Sequence, residues 1–158
     1  MKLDAESYSM DICTNNVDCM ARECIAVRLR LLNRVITNLY DDALRPLGLK
    51  TSQLNILIAT AKLGLARPTR VCEVLQLDAS TLSRNVERMR KRGWLEIVAE
   101  KDGRAQPFRL TPSGKKLLEK AFPLWERGQK EAKKLIGNEG LALLSKTATT
   151  LGKAKAKV

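Results

Sequence analysis

The chain contains no histidine, and aromatic residues make up only 4% of it. Without histidine there is no Ser–His or Cys–His pair to activate a nucleophile. The scattered carboxylates show no paired arrangement, and no glycine-rich stretch is placed to cradle a phosphate. The expectation is therefore a protein that is not an enzyme and carries no cofactor. With so few aromatics, a core for 158 residues must come from Leu, Ile, Val and Ala, which suits helices packed on helices. Long apolar runs are missing as well: none approaches the ~20 residues that cross a bilayer. The opening Met1–Glu6 lacks the apolar stretch of a signal peptide. No membrane is expected as a partner, and the expected location is cytoplasmic, where the four cysteines would be mostly reduced.

What the chain has in excess is positive charge. Lys and Arg number 29 against 17 acids, a net charge of +12. A field of that sign draws polyanions and speeds their association. Charge alone fits nucleic acid and an ordinary basic protein about equally. The apolar share of 44% and charged share of 29% are those of a globular chain. There is no internal repeat, and the one biased segment is the tail with Lys153, Lys155 and Lys157, which reads as a solvated end.

Residues 1–19 are polar and show no sustained period, so they read as an arm or a short helix. From Asp18 to about Pro46 apolar residues recur every three or four positions (Ile25, Leu29, Leu32, Ile36, Leu39, Ala43, Leu47), which predicts one long helix. A second stripe, Val27, Leu31 and Val35, makes its apolar surface too wide for one partner and suggests an intermolecular contact. Pro46 and Gly48 stop it. Thr51 reads as the N-cap of a second helix that Gly64 ends. Arg67-Pro68 opens a short third helix, and Gln76-Leu77 makes a tight turn. Asp78 caps a fourth helix that ends at Gly93. Residues 94–100 and Gln106–Leu110 read as the strands of a hairpin turned by 101–104, with Pro107 at an edge or a strand start. Thr111 and Pro112 open a helix to about Ile136, bent at Pro123 and broken by residues 137–140, and a last helix follows.

The expected fold is mainly α with a small β-hairpin wing: a winged helix-turn-helix domain plus a helical dimerisation region. The expected division is an arm at 1–19, the helical dimerisation region at 20–50 and 112–152, the winged domain at 51–111, and a basic tail at 153–158.

The helix after Asp78 carries the chemistry. Leu82, Val86 and Met89 lie at i, i+4 and i+7 and define its buried face. At 100° per residue the opposite face holds Ser80, Arg84, Glu87 and Lys91, flanked by Thr81 and Arg88. Hydroxyls on the first turn and arginines on the next suit a helix entering a major groove by its N-terminal end. The hydroxyls and amides meet phosphate there, and arginines read guanine edges bidentately. The same face also reads as an ordinary solvated surface, and Asp102-Gly103 as plain turn chemistry. Arg104 on the hairpin tip tilts the balance, since a narrow minor groove attracts an inserted arginine.

Three stretches together resemble the multiple antibiotic resistance regulator (MarR) family. They are residues 39–53, from Leu39-Tyr40-Asp41-Asp42 to Thr51-Ser52-Gln53; Asp78–Val86 followed by Arg92-Gly93-Trp94-Leu95; and Asp102-Gly103-Arg104 followed by Leu110-Thr111-Pro112-Ser113-Gly114. They span about residues 20–152 in the family's order. The resemblance implies a homodimer joined by its first and last two helices, bound to a palindromic double-stranded operator. It usually represses transcription, and a small ligand or oxidant commonly relieves binding. It places Ser80, Thr81, Arg84 and Arg88 at DNA-contact positions and Arg104 as the wing arginine, with Lys91 an added candidate from the helix face. Gly103 and Gln106 stand where basic residues are frequent in the family, so the wing is plainer here. Two recognition helices ~34 Å apart imply half-sites about 10 base pairs apart.

The resemblance also frames the cysteines. Cys13, Cys19 and Cys24 are candidates for a redox switch, against the alternative of incidental thiols. Asp18 and Glu23 oppose thiolate formation, while a helix N-terminus near Cys19 favours it. Their spacing matches no zinc pattern, so no metal is expected. Cys72, among Val71, Val74 and Leu75, reads as core. A small anionic aromatic ligand is the other implied effector. Arg28, Arg30 and Arg34 are its candidate partners, each also readable as a surface charge. Two other functions remain open: a winged-helix protein-interaction module, and sequence-indifferent architectural DNA binding.

Overall fold

A computed structural model describes residues 15–99 and 106–155. Cys13, the expected turn at 101–104 with Arg104, and the end of the basic tail lie outside the described residues. The chain divides into two units, Met1–Ile36 and Thr37–Val158.

In the first unit, Asn15 caps α1 (Asn16–Glu23) by accepting the backbone N–H of Asp18 at 3.0 Å. The chain then leaves helical geometry at Cys24, where ψ is 108°. The Cys24 carbonyl accepts the N–H groups of Val27 and Arg28 at 3.1 and 3.2 Å, so α2 (Ile25–Leu44) restarts from it. The single helix expected from Asp18 to Pro46 is thus two helices and a 3₁₀ turn, Arg45–Leu47. The apolar period runs through Cys24 without a break and conceals the interruption. Helix also begins at Asn16, so the end of the 1–19 stretch takes the second of its two readings, a short helix. Val17, Met20, Ile25, Val27, Leu29, Leu31 and Val35 are all exposed.

In the second unit, the C-terminal part of α2 leads through Gly48 (φ 59°) to α3 (Thr51–Leu63). Thr51 is the first helical residue and not the N-cap. Lys50 takes that place, and the Gln53 side chain accepts its N–H at 3.1 Å. The acceptor for Thr51 comes from far along the chain. Asp41 on α2 takes its N–H at 2.7 Å and its hydroxyl at 2.8 Å, and Lys50 Nζ lies 3.1 Å away. Burial pushes the Asp41 carboxyl up, but the Thr51 and Lys50 hydrogen bonds outweigh it and hold it below the usual range.

Next come α4 (Pro68–Leu75), a left-handed Gln76 (φ 53°), and α5 (Ala79–Lys91). Strands β1 (Leu95–Ile97) and β2 (Phe108–Leu110) pair antiparallel with Glu96 opposite Arg109. Both are shorter than the expected 94–100 and 106–110, although the Pro107 carbonyl still accepts the Val98 N–H at 2.8 Å. Ala66, between α3 and α4, bridges Phe108 by two backbone hydrogen bonds of 2.8 and 3.0 Å. That bridge ties the base of the hairpin to the helical core. The core joins Leu44, Ile56, Leu57, Val71, Leu82, Met89, Leu95 and Phe108. Cys72 is half-buried against it.

The long α6 (Pro112–Lys155) starts with Thr111 accepting the Gly114 N–H at 3.0 Å. Pro123 lies within it, but the non-helical residue is Gly137 (φ 71°, ψ 168°). The predicted break is therefore one residue wide; Asn138, Glu139 and Gly140 are already helical. Leu117 and Ala121 face the core, while Phe122 is exposed and stacks on Trp125 with ring centres 6.0 Å apart. The fold is mainly α with a two-stranded hairpin, as the sequence predicts.

Candidate nucleic-acid interface

The candidate interface is built on α5. Asp78 starts it with β-region dihedrals, and its Oδ1 accepts the Thr81 N–H at 2.7 Å. The same oxygen accepts the Ser80 hydroxyl at 2.6 Å. The hydrogen bonds from Ser80 and then Thr81 hold the Asp78 carboxyl far below the usual carboxylate range. Leu82, Val86 and Met89 are buried, as their spacing predicts, and clamp α5 to the core from behind. That leaves Ser80, Arg84, Arg88 and Lys91 exposed, with Thr81 half-buried on the flank.

The cations on this face are not equivalent. Among the described residues Arg84 makes a long contact of 3.4 Å to the Thr81 hydroxyl. Arg88 has no carboxylate partner among the described residues. Arg90 is held bidentately by Glu87 at 2.8 and 2.9 Å, and Lys91 lies 3.7 Å from the same carboxylate. Arg92, just past the helix, donates to the Gly48 carbonyl at 2.6 Å, and its guanidinium lies 4.9 Å from the Trp94 ring centre. It therefore links the end of α5 to the loop before α3. Neither the Glu87 clamp nor the Arg92 link is legible from helical period. An i, i+3 Glu–Arg pair is at most a hint.

The structure does not gather the other sequence candidates in the same way. Arg28, Arg30 and Arg34 are all exposed along α2. Arg30 and Arg34 are one turn apart, but Arg28 points about 160° from Arg30 and donates to the Arg22 carbonyl at 2.6 Å. Cys19 is disulfide-bonded, against the expectation of mostly reduced thiols, whereas Cys24 and Cys72 are free.

Sequence reasoning missed a cavity of about 650 Å³ in the winged domain. It lies between α4, α5 and the hairpin and is lined by Pro68, Cys72, Leu82, Val86, Ile97 and Phe108 among others. Among the described residues no cluster of three or more His, Cys, Asp or Glu could hold a metal ion, and no helix is long and apolar enough to cross a membrane.

Comparison with known proteins agrees with this architecture. Residues 47–105 match the MarR family model. The multiple antibiotic resistance protein MarR of Salmonella typhimurium is 27% identical over 112 residues, 69% of this chain and 78% of that protein. The M. tuberculosis transcriptional regulator MOSR, solved in complex with DNA, is 30% identical with a TM-score of 0.74, covering 85% of this chain and 98% of that one. Bordetella bronchiseptica BpsR, whose DNA binding is regulated by 6-hydroxynicotinic acid, shares the fold with a TM-score of 0.74 at 18% identity, covering 83% and 95%. The chain belongs to the MarR family: it is a DNA-binding transcriptional regulator and not an enzyme.

Proposed function

We propose that the protein is a homodimeric, sequence-specific repressor that lays α5 of each protomer in the major groove of a palindromic operator. One observation carries the reading. Leu82, Val86 and Met89 turn the apolar side of α5 into the core, and its first-turn hydroxyls and the cations Arg84, Arg88 and Lys91 face outward. Ser80, Thr81, Arg84, Arg88 and Lys91 are the contact residues on this reading, and Arg104 enters the minor groove. Residues 51–111 form the DNA-binding domain, and 20–50 with 112–152 form the dimer region. The exposed apolar residues of α2 and α6 support that assignment, because a monomer would leave them in water. Such a regulator acts in the cytoplasm.

Two observations favour control by an effector. The disulfide at Cys19 supports release by thiol oxidation, with Cys13, Cys19 and Cys24 as the arm concerned. The cavity behind α5 supports control by a small molecule, since an occupant there touches Leu82 and Val86, which anchor the helix.

Selection of bound fragments from random duplex, with and without peroxide, tests the proposal. The expected result is a palindrome with half-sites about 10 base pairs apart, whose affinity falls steeply with salt and with oxidant. Enrichment of no motif points to architectural binding. Loss of all duplex affinity in the reduced protein points to a protein-interaction module.

A further inference from the structure

The outward face of α5 carries one carboxylate among its cations. At 100° per residue, Glu87 lies about 60° from Arg84 and about 40° from Lys91, half-exposed on the flank of that face beside the cavity that Leu82 and Val86 also line. A duplex that meets Arg84 therefore meets Glu87 one turn later. The carboxylate is held in one plane. Its Oε2 accepts Arg90 Nε at 2.8 Å and its Oε1 accepts Arg90 Nη2 at 2.9 Å. Each oxygen retains a second acceptor position.

Such a group is repelled by phosphate oxygens and by the acceptors of guanine and thymine edges. In the major groove it is satisfied by an amino donor. Cytosine presents its N4 amino group alone, whereas adenine sets its amino group beside the N7 acceptor, a pattern that suits an amide instead. The fixed carboxylate thus fits cytosine better than any other base edge.

We propose that Glu87 is a specificity residue: it weakens binding to every duplex and recovers that loss only where it accepts a hydrogen bond from a cytosine N4 amino group. The inference rests on placing α5 in the major groove. The ion pairs do not oppose it. The Lys91 contact is long, 3.7 Å, with side chains 71% and 45% accessible, so a phosphate displaces Lys91 readily, while the bidentate Arg90 pair keeps the carboxylate oriented. What phosphate cannot displace is the negative charge itself.

The test is Glu87→Gln in the full chain, which keeps length and helix propensity and removes the charge. Affinity for random duplex at low salt is expected to rise about three- to tenfold. The fragments selected by the variant should lose a C·G preference at one position in each half-site. Unchanged affinity for random duplex, or a selected motif with every position intact, overturns the proposal. Arg84→Ala run in parallel separates the two levels. If neither variant changes DNA binding, α5 is not the reading helix. If only Glu87→Gln is silent, the role of Glu87 alone fails.

Discussion

The Asp78 carboxylate accepts the backbone N–H of Thr81 at 2.7 Å and so closes the first turn of α5. The same oxygen holds the Ser80 proton. In this arrangement Ser80 has no hydrogen to offer a phosphate, and its hydroxyl must rotate off Asp78 before it donates. The Thr81 amide is likewise taken by Asp78, whereas the Thr81 hydroxyl hydrogen is not.

Asp78 also predicts a response to acid. Hydrogen bonds from Ser80 and Thr81 hold its folded pKa below the unfolded value of about 3.9. The sign follows: the cap stabilises fully above pH 4 and weakens as pH falls toward the folded value. Asn caps as well but does not titrate. The stability difference between the parent chain and Asp78→Asn should be constant from pH 8 to 5 and shrink below 4, read by thermal melting. A difference that stays constant down to pH 2 contradicts the cap.

The unequal pairing of the α5 cations predicts unequal mutants. Arg84 and Arg88 lack carboxylate partners among the described residues. Replacing either by Ala should weaken operator binding by about 1–3 kcal/mol and relax one base preference. Lys91 shares Glu87 with Arg90. Lys91→Ala should weaken operator and random duplex equally and leave the motif intact. Fluorescence anisotropy on both duplexes distinguishes the two classes. A base preference that depends on Lys91 contradicts the assignment.

How much of this was legible in sequence depends on the range of each interaction. The α5 face follows from a period of 3.6 and was readable from Leu82, Val86 and Met89. So were the Asp78 cap, the Gly93 stop and the Thr111 opening of α6, because each is local. The break at Cys24 was hidden, since the apolar stripe continues on both sides of it. Capping of Thr51 by Asp41, ten residues away, and the Arg92 bond to Gly48 need the tertiary fold to exist first. The bridge at Ala66 is of the same kind. The cavity behind α5 depends on how α4 and the hairpin meet, and no residue pattern announces it.

Gly114 offers a test of close packing. A Cβ there would lie 2.1 Å from the Trp94 carbonyl oxygen and 3.2 Å from a Leu110 methyl. The carbonyl already accepts the Thr111 N–H at 3.1 Å and has little freedom to retreat. Helix propensity alone predicts that Gly114→Ala stabilises by about 1 kcal/mol. Overpacking predicts a loss of about 1–3 kcal/mol. Urea unfolding should show the loss; a gain would mean that the junction of β1 and α6 yields.

The dimer makes the last prediction. Phe122 is 57% exposed, Leu135 60% and Leu143 66%, all on α6. Burying one leucine side chain contributes about 1.5–3 kcal/mol, and in a symmetric dimer each position counts twice. The double variant Leu135→Lys with Leu143→Lys should therefore sediment as a monomer. Its helix content should be unchanged, because neither side chain supports the core of its own chain. Each monomer would still present α5, but one half-site at a time. The loss of linked binding should cost operator affinity at least a hundredfold and leave random duplex much less affected. A variant that remains dimeric places the interface on other residues, and a monomer with full operator affinity removes the need for a dimer in recognition.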